Sequence, residues 1–212
     1  QRTDALTAAR ASTLALFREL FPREVLDSGR LASVAAVTFV AIDLGKAARL
    51  EEQGNVYERL GEAKAFSLLQ DVLDAAERTA RGHGGTVIKT LGDAMLLAFD
   101  DKVRAARGAL EFLEQGLAGV AQRRPREKDL LDQARAVAHH GPALATTQNS
   151  RLDYFGTTVQ QTLNALRGAP SGLTLLSEMA ADAEVMALLR ERFGERLEVT
   201  GTASRMTVRA RP

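Results

Sequence analysis

The chain has 212 residues, 45% hydrophobic and 26% charged, which fits one sizeable core and an ordinary globular composition. A formal net charge of +1 gives no global electrostatic case for nucleic acid or a membrane surface. Cysteine is absent, which excludes disulfides and thiol catalysis and fits a reducing, cytoplasmic setting; no run is long and apolar enough to span a bilayer, and no signal peptide stands out.

Residues 4–20 carry apolar side chains at helical spacing, and Pro22 stops that helix before a loop at "DSG". "LASVAAVTFVAID" reads as a strand buried on both faces and ending at Asp43. "GKAARLEEQGN" is a polar loop. An amphipathic helix follows over 56–81, interrupted near Gly61 and ended by "GHGG". Residues 86–99, "TVIKTLGDAMLLAF", form a hairpin that turns at Leu91-Gly92-Asp93. A second long helix covers 101–121, and "QRRPREKD" is a solvated connection without aromatics to stack on bases. "ARAVAHH" and "ALATTQ" read as a strand pair turning at Gly141-Pro142. A helix over 157–166, a strand "GLTLLS", a helix "EMAADAEVMALLRERF" and a hairpin "RLEVTG"/"RMTVRA" complete the chain. Hairpins alternate with helices and no βαβ unit repeats. The expectation is an α+β domain with a mostly antiparallel sheet flanked by helices.

Two acids and a lysine stand out. Asp43 ends a buried strand and Asp93 sits on a hairpin turn. If the two strands are neighbours, both carboxylates emerge at one sheet edge. Such an edge suits Mg²⁺, which takes one or two carboxylates and completes its shell with water and substrate phosphates. Taken singly, each Asp is better explained as a turn former. Lys89 lies inside an apolar strand and needs an acceptor for its ammonium; Asp153, in "RLDYFG", is the candidate. Such a pair can be a plain salt bridge or can read a purine edge, Lys donating to a ring nitrogen and Asp accepting from an exocyclic amine. The three histidines, His83, His139 and His140, make no zinc site without cysteines, and "GHGG" lacks phosphate-loop spacing.

The blocks "FVAID", "YERLGEAKAFSLLQ", "HGGTVIKTLGDAMLLAF", "RLDYFGTTV" and "GLTLLSE" occur in an order and spacing that resemble the catalytic domain of the class III nucleotidyl cyclases, adenylate and guanylate. The resemblance runs from Val34 to the C-terminus and is nearest to bacterial members. It implies a ferredoxin-like cyclase fold over residues 33–212, preceded by a helix and linker over 1–32. It also implies a head-to-tail dimer with nucleotide sites at the interface and two Mg²⁺ or Mn²⁺ ions. By position, Asp43, Asp93 and the Leu44 backbone carbonyl match the metal ligands. Lys89 and Asp153 match the purine-reading pair, in the form that implies ATP and 3′,5′-cyclic AMP.

The departures bear on turnover. After "FGTTV" the family carries an Asn and, one helical turn later, an Arg that reach across the dimer to ribose and α-phosphate. Here Gln160 and Asn164 stand there. Loss of such an arginine costs on the order of 10³–10⁵ in rate in analogous phosphoryl-transfer enzymes. Arg167 lies one turn further on. Thr200 replaces a triphosphate-binding lysine, and the turn after Asp43 is lengthened, with Gly45 one place early and Lys46 beside it. Three readings follow: an adenylate cyclase of low activity working as a homodimer, a cyclase-like regulatory or dimerisation module, and one half of a heterodimeric cyclase.

Overall fold

The computed structural model of this protein describes residues 14–20, 31–44, 56–148, 151–202 and 204–210. The expectations for residues 4–13, the loop 27–29 and the segment 45–55, including Gly45 and Lys46, lie outside the described residues. Helix α1, Ala15–Leu20, turns Leu16 and Leu20 outward, where both are exposed. Strand β1, Leu31–Asp43, runs through the middle of the sheet between β3, Ala94–Phe99, and β4, Arg135–Gln148. Its residues 37–42 are all buried, as an apolar run covered on both faces requires.

Gly61 divides α2, Val56–Leu60, from α3, Glu62–Gly82. The buried face of α3 follows Ala65, Leu68, Leu69, Val72, Ala75 and Ala76, the helical period seen in the sequence. Strand β2, Thr86–Leu91, forms the expected hairpin with β3. Helix α4, Lys102–Glu111, continues through a π-helical turn, Phe112–Gly116, into α5, Leu117–Arg123. The expected solvated connection, 122–129, has no buried residue; it carries a 3₁₀ turn, Pro125–Glu127, and the start of α6, Lys128–Leu131, whose buried Leu130 and Leu131 lie just beyond it. Helix α7 spans Thr157–Arg167 and β6 spans Gly172–Leu176. Helices α8, Glu178–Ala181, and α9, Ala183–Phe193, are separated at Asp182, whose carboxylate accepts from the Glu184 and Val185 N–H groups at 3.1 Å and so starts α9. Strands β7, Leu197–Thr202, and β8, Arg205–Ala210, close the chain.

One expectation is overturned. Residues 135–148 form a single strand, β4, not a pair turning at Gly141-Pro142. Its hairpin partner is β5, Arg151–Phe155, to which the sequence reading assigns no element. Two local facts explain the difference. The β1–β4 register shifts between Val34 and Val37, so β1 bulges opposite Pro142 and the missing proline N–H falls in the gap. Gly141 serves close packing: a Cβ there would lie 2.8 Å from Thr158 Oγ1 of α7.

The sheet order is β2-β3-β1-β4-β6-β8-β7, with β5 paired to β4 off that path. Among the described residues only the β4–β6 pairing is parallel. One face carries α3, α4, α5 and α9 over Val40, Ile42, Leu97 and Phe99. The other carries α7 and β5 over Phe39, Ala41, Leu96 and Val137. There Phe39 and Tyr154 meet edge to face with ring centres 5.4 Å apart. This is the α+β, mostly antiparallel architecture expected from the sequence. No helix among the described residues is long and apolar enough to cross a membrane.

Candidate functional site

Strand pairing brings the two acidic residues to the same end of the sheet. Asp43, the last residue of β1, lies opposite Ala94 of β3. Asp93 immediately precedes Ala94, on a turn made possible by Gly92 at φ 69°. Both residues therefore stand at one end of two adjacent strands. Leu44 is fully buried, which pins the backbone just past Asp43.

Across the other edge of β1, Asp43 faces Arg135 of β4, and the Arg135 guanidinium donates to its carboxylate at 2.7 Å. That guanidinium also donates to the carbonyls of Arg167 at 3.3 Å and Ala169 at 3.1 Å, at the C-terminal end of α7. Arg135 is the site residue the sequence analysis missed. Its signal was the one used for Lys89, a cation inside an apolar strand, "ARAVAHH". The side chains of Arg135 and Asp43 are 7% and 13% exposed, so this is an ion pair in a dry setting.

Lys89 and Asp153 come together as the sequence suggested. The Lys89 ammonium donates to the Asp153 carboxylate at 2.9 Å and lies 4.8 Å from the centre of the Phe155 ring. A bulge between Val87 and Lys89 turns this part of β2 toward β5. Asp153 also accepts from the Tyr154 N–H at 2.7 Å. Gln160, Asn164 and Arg167 are all exposed along α7, at a spacing that sets them on one stripe. Thr200 is exposed on β7.

The histidines are each engaged locally. His83 meets Glu111 at 2.8 Å, His139 meets Gln161 at 3.0 Å and His140 meets Thr38 at 2.9 Å. Among the described residues no group of three or more His, Asp or Glu side chains is arranged to hold a metal. The acid edge thus offers two carboxylates, not a complete protein cage. A cavity of about 840 Å³ lies elsewhere, between α4–α5 and the ends of β6 and β8. A smaller one of about 120 Å³ opens beside Asp93, against Tyr57 and Phe66.

No family model and no curated protein matches the sequence. Solved structures do match in fold. The guanylyl cyclase domain of the RhoGC fusion protein from the aquatic fungus Blastocladiella emersonii superposes with a TM-score of 0.60 at 16% identity, over 86% of this chain and 98% of that one. The catalytic core of a rhodopsin–guanylyl cyclase with converted specificity, solved in complex with ATPαS, gives 0.59 at 16% identity, over 86% and 100%. The adenylyl cyclase CyaB from P. aeruginosa gives 0.56 at 15% identity, over 86% and 97%. This chain carries the catalytic-domain fold of the class III nucleotidyl cyclases.

Proposed function

We propose that residues 33–212 are a nucleotidyl cyclase-type unit that binds metal–ATP at an interface between two copies and turns it over slowly. The observation that carries the reading is the Lys89–Asp153 contact, a cation and an acid from β2 and β5 that meet at 2.9 Å. In the nucleotide-bound state the pair opens to the base. The Lys89 ammonium donates to a ring nitrogen, and the Asp153 carboxylate accepts from the exocyclic amine of adenine. Guanine presents an acceptor oxygen where adenine presents that amine, so Asp153 favours ATP over GTP.

The donor set at the acid edge fits a hard divalent cation: two carboxylates, Asp43 and Asp93, and the Leu44 carbonyl. These groups would hold Mg²⁺ or Mn²⁺. Such ions, when bound, lower the charge on the triphosphate and favour ionisation of the ribose 3′-hydroxyl. The reaction forms a bond from O3′ to the α-phosphorus and breaks the α–β bridge, releasing pyrophosphate. Arg135 sharpens the fit. A cation at Asp43 repels the guanidinium 2.7 Å away. A polyanion resolves that conflict, because its phosphate oxygens accept from Arg135 while Asp43 engages the metal.

The weakness lies on α7. Gln160 and Asn164 carry no positive charge for the phosphoryl oxygens, so contacts that tighten in the transition state are missing while binding contacts remain. The same division supports a second reading. A different cyclase chain, supplying Asn and Arg, would complete the site that holds Asp43 and Asp93.

The test is a thermal-shift titration with ATP and Mn²⁺, repeated on Asp43→Ala, followed by a cyclic AMP assay of the chain alone. The expected result is a saturable ATP shift that Asp43→Ala abolishes, with little cyclic AMP. Rapid cyclic AMP formation would sink the impaired reading. Absence of any ATP shift would leave only the fold and a regulatory or dimerisation role.

A further inference from the structure

Strand β5 is laddered to the sheet along one edge. Among the described residues it pairs with β4 alone, off the main strand path. Its alternation is clear: Leu152 and Tyr154 are buried while Asp153 turns to Lys89. The backbone beneath Asp153 has one more attachment, from outside the sheet. Arg18, in the helix that precedes β1, donates through Nη2 to the Leu152 carbonyl at 2.7 Å. The neighbouring Glu19 forms an ion pair with Arg81 in the last turn of α3, and Arg81 also holds Glu77 at 2.8 Å. Helix α1 is therefore tied at adjacent residues to β5 and to α3. The Arg18 guanidinium is half-buried: desolvation lowers its pKa, and the nearby Tyr154 and Asp153 pull in the opposite direction.

We propose that α1 is a clamp on the purine-reading strand, in which Arg18 holds the Leu152 carbonyl and so fixes the backbone that aims Asp153 at Lys89. The nucleotide side of this inference rests on the reading given above; the clamp itself does not. Arg18 is a positioning residue: it acts on the base only through the next residue of β5. A carbonyl at a strand edge is where a small sliding or fraying motion begins, because only one side of the strand is laddered. A charged donor on that carbonyl opposes the motion. Anything that lifts α1 then loosens Asp153 without touching the acid edge at Asp43.

The experiment compares Arg18→Gln and Arg18→Lys with the unaltered chain. The first readout is hydrogen exchange of residues 151–155, which needs no nucleotide. Faster exchange in Arg18→Gln, largely restored in Arg18→Lys, is expected; unchanged exchange in Arg18→Gln overturns the clamp. The second readout is calorimetric affinity, with Mn²⁺, for ATP and for purine riboside triphosphate, whose base lacks the exocyclic amine. Arg18→Gln should weaken ATP by about fivefold to tenfold, the loss of one hydrogen bond from a charged donor, and change the amine-free analogue by less than about twofold. On an Asp153→Asn background the same change should add no further loss. Equal weakening of both nucleotides would make Arg18 a general structural residue and overturn the proposal. If the unaltered chain binds neither nucleotide, the nucleotide reading fails and the exchange result alone decides the clamp.

Discussion

Arg135 and Asp43 are backbone partners across β4 and β1, and their side chains close that rung with an ion pair of 2.7 Å. The carboxylate is thereby fixed at the strand end, and the guanidinium joins the acid edge to the end of α7. Removing the acid leaves a nearly buried cation with carbonyl partners only. Asp43→Ala should cost about 2–4 kcal/mol of stability. The double change Asp43→Ala, Arg135→Leu should recover much of the loss, because an uncompensated charge is worse than an apolar replacement. Urea melts of the three variants read this directly, and a double variant weaker than Asp43→Ala would refute it. ATP shifts measured on Asp43→Ala must be referred to its own lowered baseline.

Lys89 and Asp153 are 25% and 19% exposed, less enclosed than Arg135 and Asp43. Lys89→Ala leaves a part-buried carboxylate without its cation and should lower stability by about 1–2 kcal/mol. ATP affinity should fall by at least about tenfold, since a charged hydrogen bond to the base is lost. Calorimetry and a urea melt on the same preparation separate the two. A large loss of stability with unchanged ATP affinity would return the pair to an ordinary salt bridge.

Gln160 and Asn164 stand exposed one turn apart on α7, so new side chains there meet no packing obstacle within the protomer. Gln160→Asn with Asn164→Arg should raise cyclic AMP formation on the order of 10³-fold. If Arg167, on the same stripe, already supplies part of the missing charge, Arg167→Ala lowers the basal rate and the gain shrinks. A steady-state assay at saturating Mn²⁺–ATP decides. No gain in the double variant would dismiss the account of impaired turnover.

Burial lowers the pKa of His140, with the Lys102 charge acting in the same direction and Glu178 and Asp182 opposing it. The folded protein therefore binds a proton here less readily than the unfolded chain does. The unfolded imidazole titrates near about pH 6.5. This contribution is complete above that value and is lost as pH falls from there through the lower folded value. Urea midpoints at neutral pH and below pH 6 should show the loss, and His140→Gln should reduce it. An unchanged pH slope in His140→Gln would refute the assignment.

Much of the fold was legible because periodicity reports burial. The run ending at Asp43, the helix interrupted at Gly61 and the hairpin turning at Asp93 each appear where spacing and turn residues set them. The misreading at Gly141-Pro142 shows the limit. Gly-Pro is a turn signal in isolation, but here one residue makes room for Thr158 and the other sits opposite a bulge in β1. Neither circumstance is local in sequence. Asp182 is a milder case: it reads as an ordinary polar position in a helix and acts as the cap that divides α8 from α9.

The candidate site divides in the same way. By itself the sequence determined which residues carry acid, cation and amide, and it placed Asp43 and Asp93 at strand ends, because side-chain identity and local period are properties of the chain. Tertiary structure alone decided that β1 and β3 are neighbours, that Lys89 reaches Asp153, that Arg135 occupies Asp43 and that Arg18 reaches the strand beneath Asp153. The physical reason is that a charge pair in a site of low solvent access depends on distances set by strand order and register. Those come from burying two sheet faces at once, which no single segment encodes.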